Sequence, residues 1–263
     1  MLTIDRIEKT FFPGTVNERR ALGGLSLRLD AGDFVTVIGS NGAGKSTLLN
    51  AISGRYSVDS GSIEIDGQRV NKLREYQRAK YIGRVFQDPM AGTAPDLTIE
   101  QNLALAQRRG KSRGLGLALS RSLRERFREE LTALELGLEH RLTAKVGLLS
   151  GGQRQALSLL MAGFTRPSIL LLDEHTAALD PQRAALVTEL TDRIVAQGAL
   201  TTLMVTHNME QALRLGNRLI MMHEGDIVFE ASADEKRQLT VPRLLEEFAK
   251  VKGAQLDDRA LLA

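Results

Sequence analysis

Between Gly39 and Thr47 the chain sets three glycines, a lysine and two adjacent hydroxyls within nine residues: Gly39-Ser40-Asn41-Gly42-Ala43-Gly44-Lys45-Ser46-Thr47. The spacing is G-x-x-x-x-G-K-S, the pattern of a phosphate-binding loop. A loop that wraps a polyphosphate must bring backbone N–H groups close to its oxygens, where side chains would obstruct. A helix starting behind it points its positive end at the same anion. Lys45 adds a mobile charge for the β- and γ-phosphates, and the Ser46 hydroxyl can ligate Mg²⁺. The ligand implied is ATP or GTP.

Two further stretches carry chemistry. Asp173-Glu174 closes the apolar run at residues 169–172. A carboxylate ending a buried strand is costly unless compensated. Beside a phosphate loop the compensation expected is Mg²⁺ for Asp173, with Glu174 placed to polarise the attacking water. The other stretch is Leu149-Ser150-Gly151-Gly152-Gln153-Arg154-Gln155. It reads as a second anion-binding helix start, with a hydroxyl from Ser150 and backbone N–H groups exposed at Gly151 and Gly152.

These groups need elements to position them. The β-branched run at residues 34–38 predicts a buried strand delivering the loop, and residues 46–53 a helix stopped by Gly54. Alternation at residues 3–7, 25–29 and 62–67 predicts an antiparallel flank ahead of it. Residues 83–86 form a further strand, ended by Gln87-Asp88-Pro89. Helical character then runs to about residue 160, and Leu119, Leu123, Phe127, Leu131 and Leu134 share one helix face. After Pro167 the α/β pattern returns: a central strand at 169–172, a helix at 181–197, a strand at 202–206 and a short helix at 209–215. Strands at 219–222 and 227–229 follow, then an amphipathic helix carrying Leu244, Leu245 and Phe248. The fold class is α/β, a P-loop NTPase core with a mainly parallel sheet, an N-terminal antiparallel β flank and an inserted helical subdomain. Residues 1–87 and 161–230 make the core, 88–160 the helical part and 231–263 a C-terminal extension.

Composition sets limits. The chain has 263 residues, 43% hydrophobic and 25% charged, as in an ordinary globular protein. With no cysteine, disulfide frameworks and cysteine-based metal sites are excluded. The first residues contain no apolar run, so no signal peptide is expected, and the apolar stretches are too short to cross a bilayer. The net charge of +3 is mildly basic. Arg108, Arg109, Lys111, Arg113, Arg121, Arg124, Arg126 and Arg128 crowd the helical part; a solvated face is the first expectation, with nucleic acid or lipid headgroups as alternatives.

The stretch from Leu149 to Gln155 resembles the signature of the ATP-binding cassette (ABC) ATPases, and the resemblance extends over essentially the whole chain. It implies ATP and Mg²⁺ as ligands, with Lys45, Gln87, Glu174 and His207 catalytic and Ser46, Gln87 and Asp173 around the metal. Gln87 matches the family's glutamine loop. His207, after Val205-Thr206, matches the histidine that bonds the γ-phosphate. Asp180, in Ala178-Leu179-Asp180, matches the loop crossing a dimer interface. Phe11 or Phe12 matches the aromatic stacked on adenine, and Phe11 aligns better after Lys9-Thr10. His140, His175 and His223 are expected to be structural. Two departures stand out: His175 occupies a position where most relatives carry Pro, and Ala177 replaces a common Ser.

The resemblance further implies a second cassette, expected to be an identical copy, pairing head to tail so that Ser150, Gly151, Gly152 and Gln153 of one face the nucleotide of the other. It implies a separate transmembrane permease, an indirect link to a solute-binding protein and a peripheral place on the cytoplasmic face of the membrane. Importers of amino-acid-like solutes are the branch resembled. Export or lipid extraction stays open, as does a non-transport cassette acting on nucleic acid, although nucleic acid is not the expected partner. A small-molecule kinase would leave the signature unexplained.

Overall fold

Apolar runs become strands wherever their period is two or their faces are both covered. The computed structural model describes residues 1–111 and 119–250. Its strands are β1 Leu2–Phe11, β2 Arg19–Leu29, β3 Phe34–Gly39, β4 Ser60–Ile65, β5 Gln68–Arg69, β6 Ile82–Val85, β7 Ile169–Asp173, β8 Thr202–Val205, β9 Arg218–His223 and β10 Asp226–Ala231. The α-helices are α1 Lys45–Ser53, α2 Glu75–Arg78, α3 Ile99–Gln107, α4 Arg121–Thr132, α5 Gly151–Gly163, α6 Pro181–Gly198, α7 Met209–Arg214 and α8 Ala233–Gln238. Residues 241–250 are also helical. The chain divides into a first unit, Met1–Lys72 with the described residues from Leu203 onward, and a second, Leu73–Thr202.

In the first unit, β2-β1-β4-β5 form the expected antiparallel flank. Its buried face is Leu2, Ile4 and Ile7 of β1 with Leu25, Leu27 and Leu29 of β2 and Ile63 and Ile65 of β4. The change from even to odd positions in β1 follows from a register shift between Ile4 and Ile7, where Arg6 adopts φ 43°. β3 lies between β9 and β8, parallel to β9 with Gly39 opposite Met222, and β10 runs antiparallel to β9. Residues 34–38 of β3 are all buried, as a doubly covered strand requires.

The C-terminal segment closes this core. Leu244 is fully buried against Ile38, Ala212, Leu219, Met221 and Ala231, with Phe248 packed beside it. Lys236 of α8 is buried too, and its Nζ donates to Leu215 O at the end of α7, to Arg218 O at 3.2 Å and to Thr36 Oγ1 at 3.2 Å. All three acceptors are neutral, and burial lowers the Lys236 pKa to about 8.

In the second unit, β6 and β7 pair in parallel with Val85 opposite Leu172. Helix α4 starts two residues after Leu119, because Ser120 caps it by accepting from Leu123 N at 3.2 Å. It buries Phe127 and Leu131, and Leu134 just beyond is buried as well.

The basic residues are less of a solvated face than their crowding predicts. Arg109 donates to Met161 O at 2.6 Å, Ala162 O at 2.9 Å and Ile82 O at 3.3 Å, so it caps carbonyls at the end of α5. Arg124 Nε bonds Glu100 Oε2 at 2.7 Å and ties α4 to α3. Arg126 lies over the Phe164 ring at 5.2 Å. Arg113, and residues 251–263 of the expected extension, lie outside the described residues.

Candidate functional site

The phosphate loop is shaped by close packing within the first unit. Gly39 leaves β3 at φ 157°, and a Cβ there would lie 2.3 Å from Met222 O. Gly44 has φ 97°, and its Cβ would lie 2.4 Å from Ala21 O. These two positions therefore admit only glycine, for both space and dihedral angle. The loop is held from outside by Gly225 N, in the β9–β10 turn, which donates to Ala43 O at 3.0 Å.

Lys45 folds across its own loop, with Nζ donating to Gly39 O at 2.7 Å and Ser40 O at 3.0 Å. Helix α1 has Gly44 as its N-cap, a residue with no side chain to spend on the first N–H groups. A cavity of about 530 Å³ opens beside the loop, lined by Arg19, Arg20, Ser40, Asn41, Gly42 and His223 among others. Two arginines against the single acid Glu224 leave the lining net positive, which suits a polyphosphate.

His207 stands two residues beyond β8, the neighbour of β3, in an exposed turn. Thr206 fixes that turn: its N–H donates to Val37 O at 3.1 Å, and its hydroxyl donates to Gln211 Oε1 at 2.7 Å and accepts from Asn208 N at 3.1 Å. At the far end of β1, Phe11 meets Tyr56 edge to face at 5.3 Å between centroids. Phe12 is 66% exposed with φ 52°.

The second unit gathers the acidic pair, Gln87, the signature and Asp180. Because β6 and β7 are parallel and in register, Gln87 and Asp173-Glu174 emerge from neighbouring strand ends. Asp173 Oδ2 is 3.1 Å from Arg84 Nη2 on β6, and both side chains are largely buried. The counter-charge expected from a metal is thus supplied in part by a protein side chain. Glu174 takes φ 43°, a left-handed conformation that costs a non-glycine residue about 1 kcal/mol. His175 is 1% exposed, and its Nε2 lies 2.8 Å from Thr191 Oγ1 on α6. Burial pushes its pKa down to about 4, so the ring is neutral.

Ser150 is the N-cap of α5. Its Oγ accepts from Gln153 N at 3.3 Å, and Gln153 Oε1 accepts from Ser150 N at 3.2 Å, a reciprocal capping box. In this arrangement Ser150 uses a lone pair, and its hydroxyl proton stays available for an anion. Arg154 fastens the preceding turn through Gly147 O at 3.1 Å and Leu149 O at 3.0 Å. Gln155, fully buried, donates from Nε2 to Phe86 O at 3.0 Å and so joins the signature helix to the strand end preceding Gln87. Asp180 caps α6, with Oδ1 accepting from Arg183 N at 3.1 Å and Pro181 in the first turn.

Several of these residues carry little or no signal in the sequence. Arg19, which donates from Nη2 to Gly42 O at 3.1 Å, sits 23 positions before its partner, and Arg84 is 89 positions from Asp173. No local pattern announces either. His223 has a weak signal only, a polar residue ending an apolar strand; its Nδ1 is 3.5 Å from Ser40 Oγ. Among the described residues no helix is long and apolar enough to cross a membrane.

Comparison with known proteins identifies a family. The sequence profile of the family described as "ABC transporter" matches residues 22–177. The "Tyrosine transport ATP-binding protein" of Clostridioides difficile is 47% identical over 249 residues, covering 94% of this chain and 98% of that one. The "Aliphatic sulfonates import ATP-binding protein SsuB 2" of Agrobacterium fabrum is 36% identical, covering 86% and 78%. Among solved structures, the ATP-binding cassette MJ0796, dimeric in a post-hydrolysis state with ADP and phosphate, superposes with a TM-score of 0.75 at 30% identity, covering 89% of this chain and 99% of its own. A glycine-built phosphate loop, an acidic pair at a strand end and a capped Ser-Gly-Gly helix start, on a fold shared along nearly the full length of such cassettes, lead to one assignment: the chain belongs to the ABC transporter family and is one of its ATPase subunits.

Proposed function

We propose that two copies of this chain bind Mg·ATP, close head to tail and drive a separate membrane permease that imports an amino-acid-like solute. The observation that carries the solute class is the 47% identity, over nearly both full lengths, to a protein named for tyrosine transport. Import is supported by the sulfonate-import relative. A solute-binding protein outside the membrane and a place for the cassette on the inner, cytoplasmic face complete the scheme.

The chain's residues divide the work. Backbone N–H groups from Gly39 to Thr47 surround the phosphates, and Lys45 exchanges the carbonyls of Gly39 and Ser40 for the β- and γ-phosphate oxygens. Ser46, Gln87 and Asp173 offer oxygen donors for Mg²⁺. A hydroxyl, an amide oxygen and a carboxylate are hard oxygen donors of the type Mg²⁺ takes, and waters and phosphates would fill the rest of its shell. When bound, Mg²⁺ neutralises charge on the β- and γ-oxygens. Glu174 accepts a proton from the attacking water, and His207 donates to the γ-phosphate. Phe11, braced by Tyr56, stacks on adenine. Ser150, Gly151, Gly152 and Gln153 of the second copy, with Asp180 beside the interface, complete the pocket.

Uptake of labelled tyrosine by cells carrying the wild-type chain or Glu174→Gln tests the scheme. Uptake is expected to fall to background in the variant while ATP binding persists and an ATP-dependent dimer accumulates. Unchanged uptake and turnover in the variant would remove the role of Glu174; no uptake above background with the wild-type chain would remove the solute class; outward release of the label would replace import by export.

A further inference from the structure

We infer that His175 is a positioning residue for Glu174: its hydrogen bond to Thr191 fixes the backbone turn from which the carboxylate projects. The inference rests on the proposed role of Glu174 as the base.

Glu174 is the first residue after β7, and its φ of 43° lies in the left-handed region, which a non-glycine residue occupies at a cost. The turn must therefore be held by its surroundings. On its upstream side Asp173 is paired with Arg84 at 3.1 Å. On its downstream side Ala177 N donates to Glu174 O at 3.0 Å, a bond internal to the turn. One tie from the turn to a long element is His175, whose ring reaches the middle of α6, an 18-residue helix.

The direction of that bond is determined. Thr191 Oγ1 donates its single proton to Val187 O at 2.7 Å, so in the 2.8 Å contact with His175 it accepts. The imidazole proton is on Nε2. Thr191 is 0% and His175 1% exposed, so water does not substitute if either partner is lost. A proline at this position could restrict the backbone but could not reach α6; histidine replaces a local restraint with a link to a rigid element.

Kinetics of the full chain with Mg·ATP test this, using Thr191→Val, Thr191→Ser, His175→Leu and Glu174→Gln. Thr191→Val, which keeps the shape and removes the acceptor, should lower kcat about tenfold or more while KM and the ATP dissociation constant stay within about twofold, because a displaced base affects the chemical step alone. Thr191→Ser should recover kcat to within about threefold, since the hydroxyl returns. His175→Leu should match Thr191→Val, and the double variant should lose no more than either single one. If His175→Leu does not fold, the Val and Ser pair at 191 decides alone. Full kcat in Thr191→Val with an inactive Glu174→Gln overturns the positioning role and leaves the base in place. A parallel change in kcat and KM that Ser does not rescue also overturns it. Wild-type turnover in Glu174→Gln overturns the reading of the base and this inference together.

Discussion

Helix α1 starts behind Gly44 with Ser46 in its first turn, α5 starts at Gly151 behind Ser150, and neither carries an acid in its first turn. Each start has N–H groups without helical partners, yet the two are built differently. At α1 the N-cap is Gly44, in a left-handed conformation and with no side chain to cap the helix. At α5 the donors are partly used, since Ser150 and Gln153 cap one another. The first start is left open toward an external polyanion. The second is satisfied within its own chain and has only a hydroxyl proton and the glycine N–H groups to add. That is the distinction expected between the loop that holds a nucleotide and a surface that completes the pocket of another subunit.

Glycine substitutions should give the largest contrast. Gly44→Ala sets a Cβ 2.4 Å from Ala21 O at φ 97°. Its ATP affinity should fall at least ~100-fold, the equivalent of ~3 kcal/mol. At Gly151 the new Cβ would meet Leu179 Cδ2 at an ordinary 3.5 Å, and equilibrium binding of a fluorescent ATP analogue should be unchanged. Equal losses of binding in the two variants would erase the distinction between the helix starts.

The open start was also the more legible one. Gly39, Gly44 and Lys45 lie within seven positions, and the packing that forbids a side chain leaves its imprint as glycine in the sequence. The antiparallel flank was legible through the alternation of Leu25, Leu27 and Leu29, and the central strand through the run at 169–172. The capping box was present in the letters Ser150-x-x-Gln153 but read as an anion site, because a helix cap and a phosphate contact demand the same residue types. What stayed hidden depends on strand order and helix packing. Arg84 reaches Asp173 only because β6 lies beside β7, and Gln155 reaches Phe86 only because α5 packs on that strand end. His175 read as a departure from a family pattern; nothing nearby in sequence pointed to Thr191.

Ser150 separates the two uses of one side chain. Asp is as good an N-cap as Ser, so Ser150→Asp keeps the box but exchanges a donor proton for a negative charge. Turnover should fall about 10²–10³-fold, by analogy with the loss of an oxyanion-hole donor, with folding stability retained. Ser150→Ala removes both functions and should also lose about 1 kcal/mol of stability in a denaturant titration. Undiminished ATP hydrolysis by Ser150→Asp would make the signature serine a cap and nothing more.

A helix end of the opposite polarity extends the contrast to cations. Lys236 serves the Leu215 carbonyl at the end of α7, with no carboxylate among its bonded partners, and its pKa is lowered from 10.5 to about 8. Between these values the unfolded chain binds more protons than the folded one, so stability rises with pH from about 8 to 10.5. The gain should be on the order of 1–3 kcal/mol, measured as the stability of the wild type relative to Lys236→Met across that window. A difference that is flat or falls with pH would mean that Lys236 is solvated rather than buried.

The smallest effect should come from Gln153→Ala, which opens one half of the capping box at α5. Ser150 Oγ can still accept from the backbone N–H of residue 153, and only the return bond from Ser150 N to the glutamine oxygen is lost. The expected cost is about 0.5–1 kcal/mol, the net worth of one partly buried hydrogen bond. Turnover should drop severalfold at most, because the hydroxyl proton of Ser150 is untouched while the rotamer that aims it is less restrained. The effect on turnover should exceed the effect on ATP affinity, because the loop proposed to hold the nucleotide lies at α1. If the ranking is reversed, with affinity the more sensitive quantity, then α5 contributes to holding the nucleotide, and the two helix starts differ in degree rather than in kind.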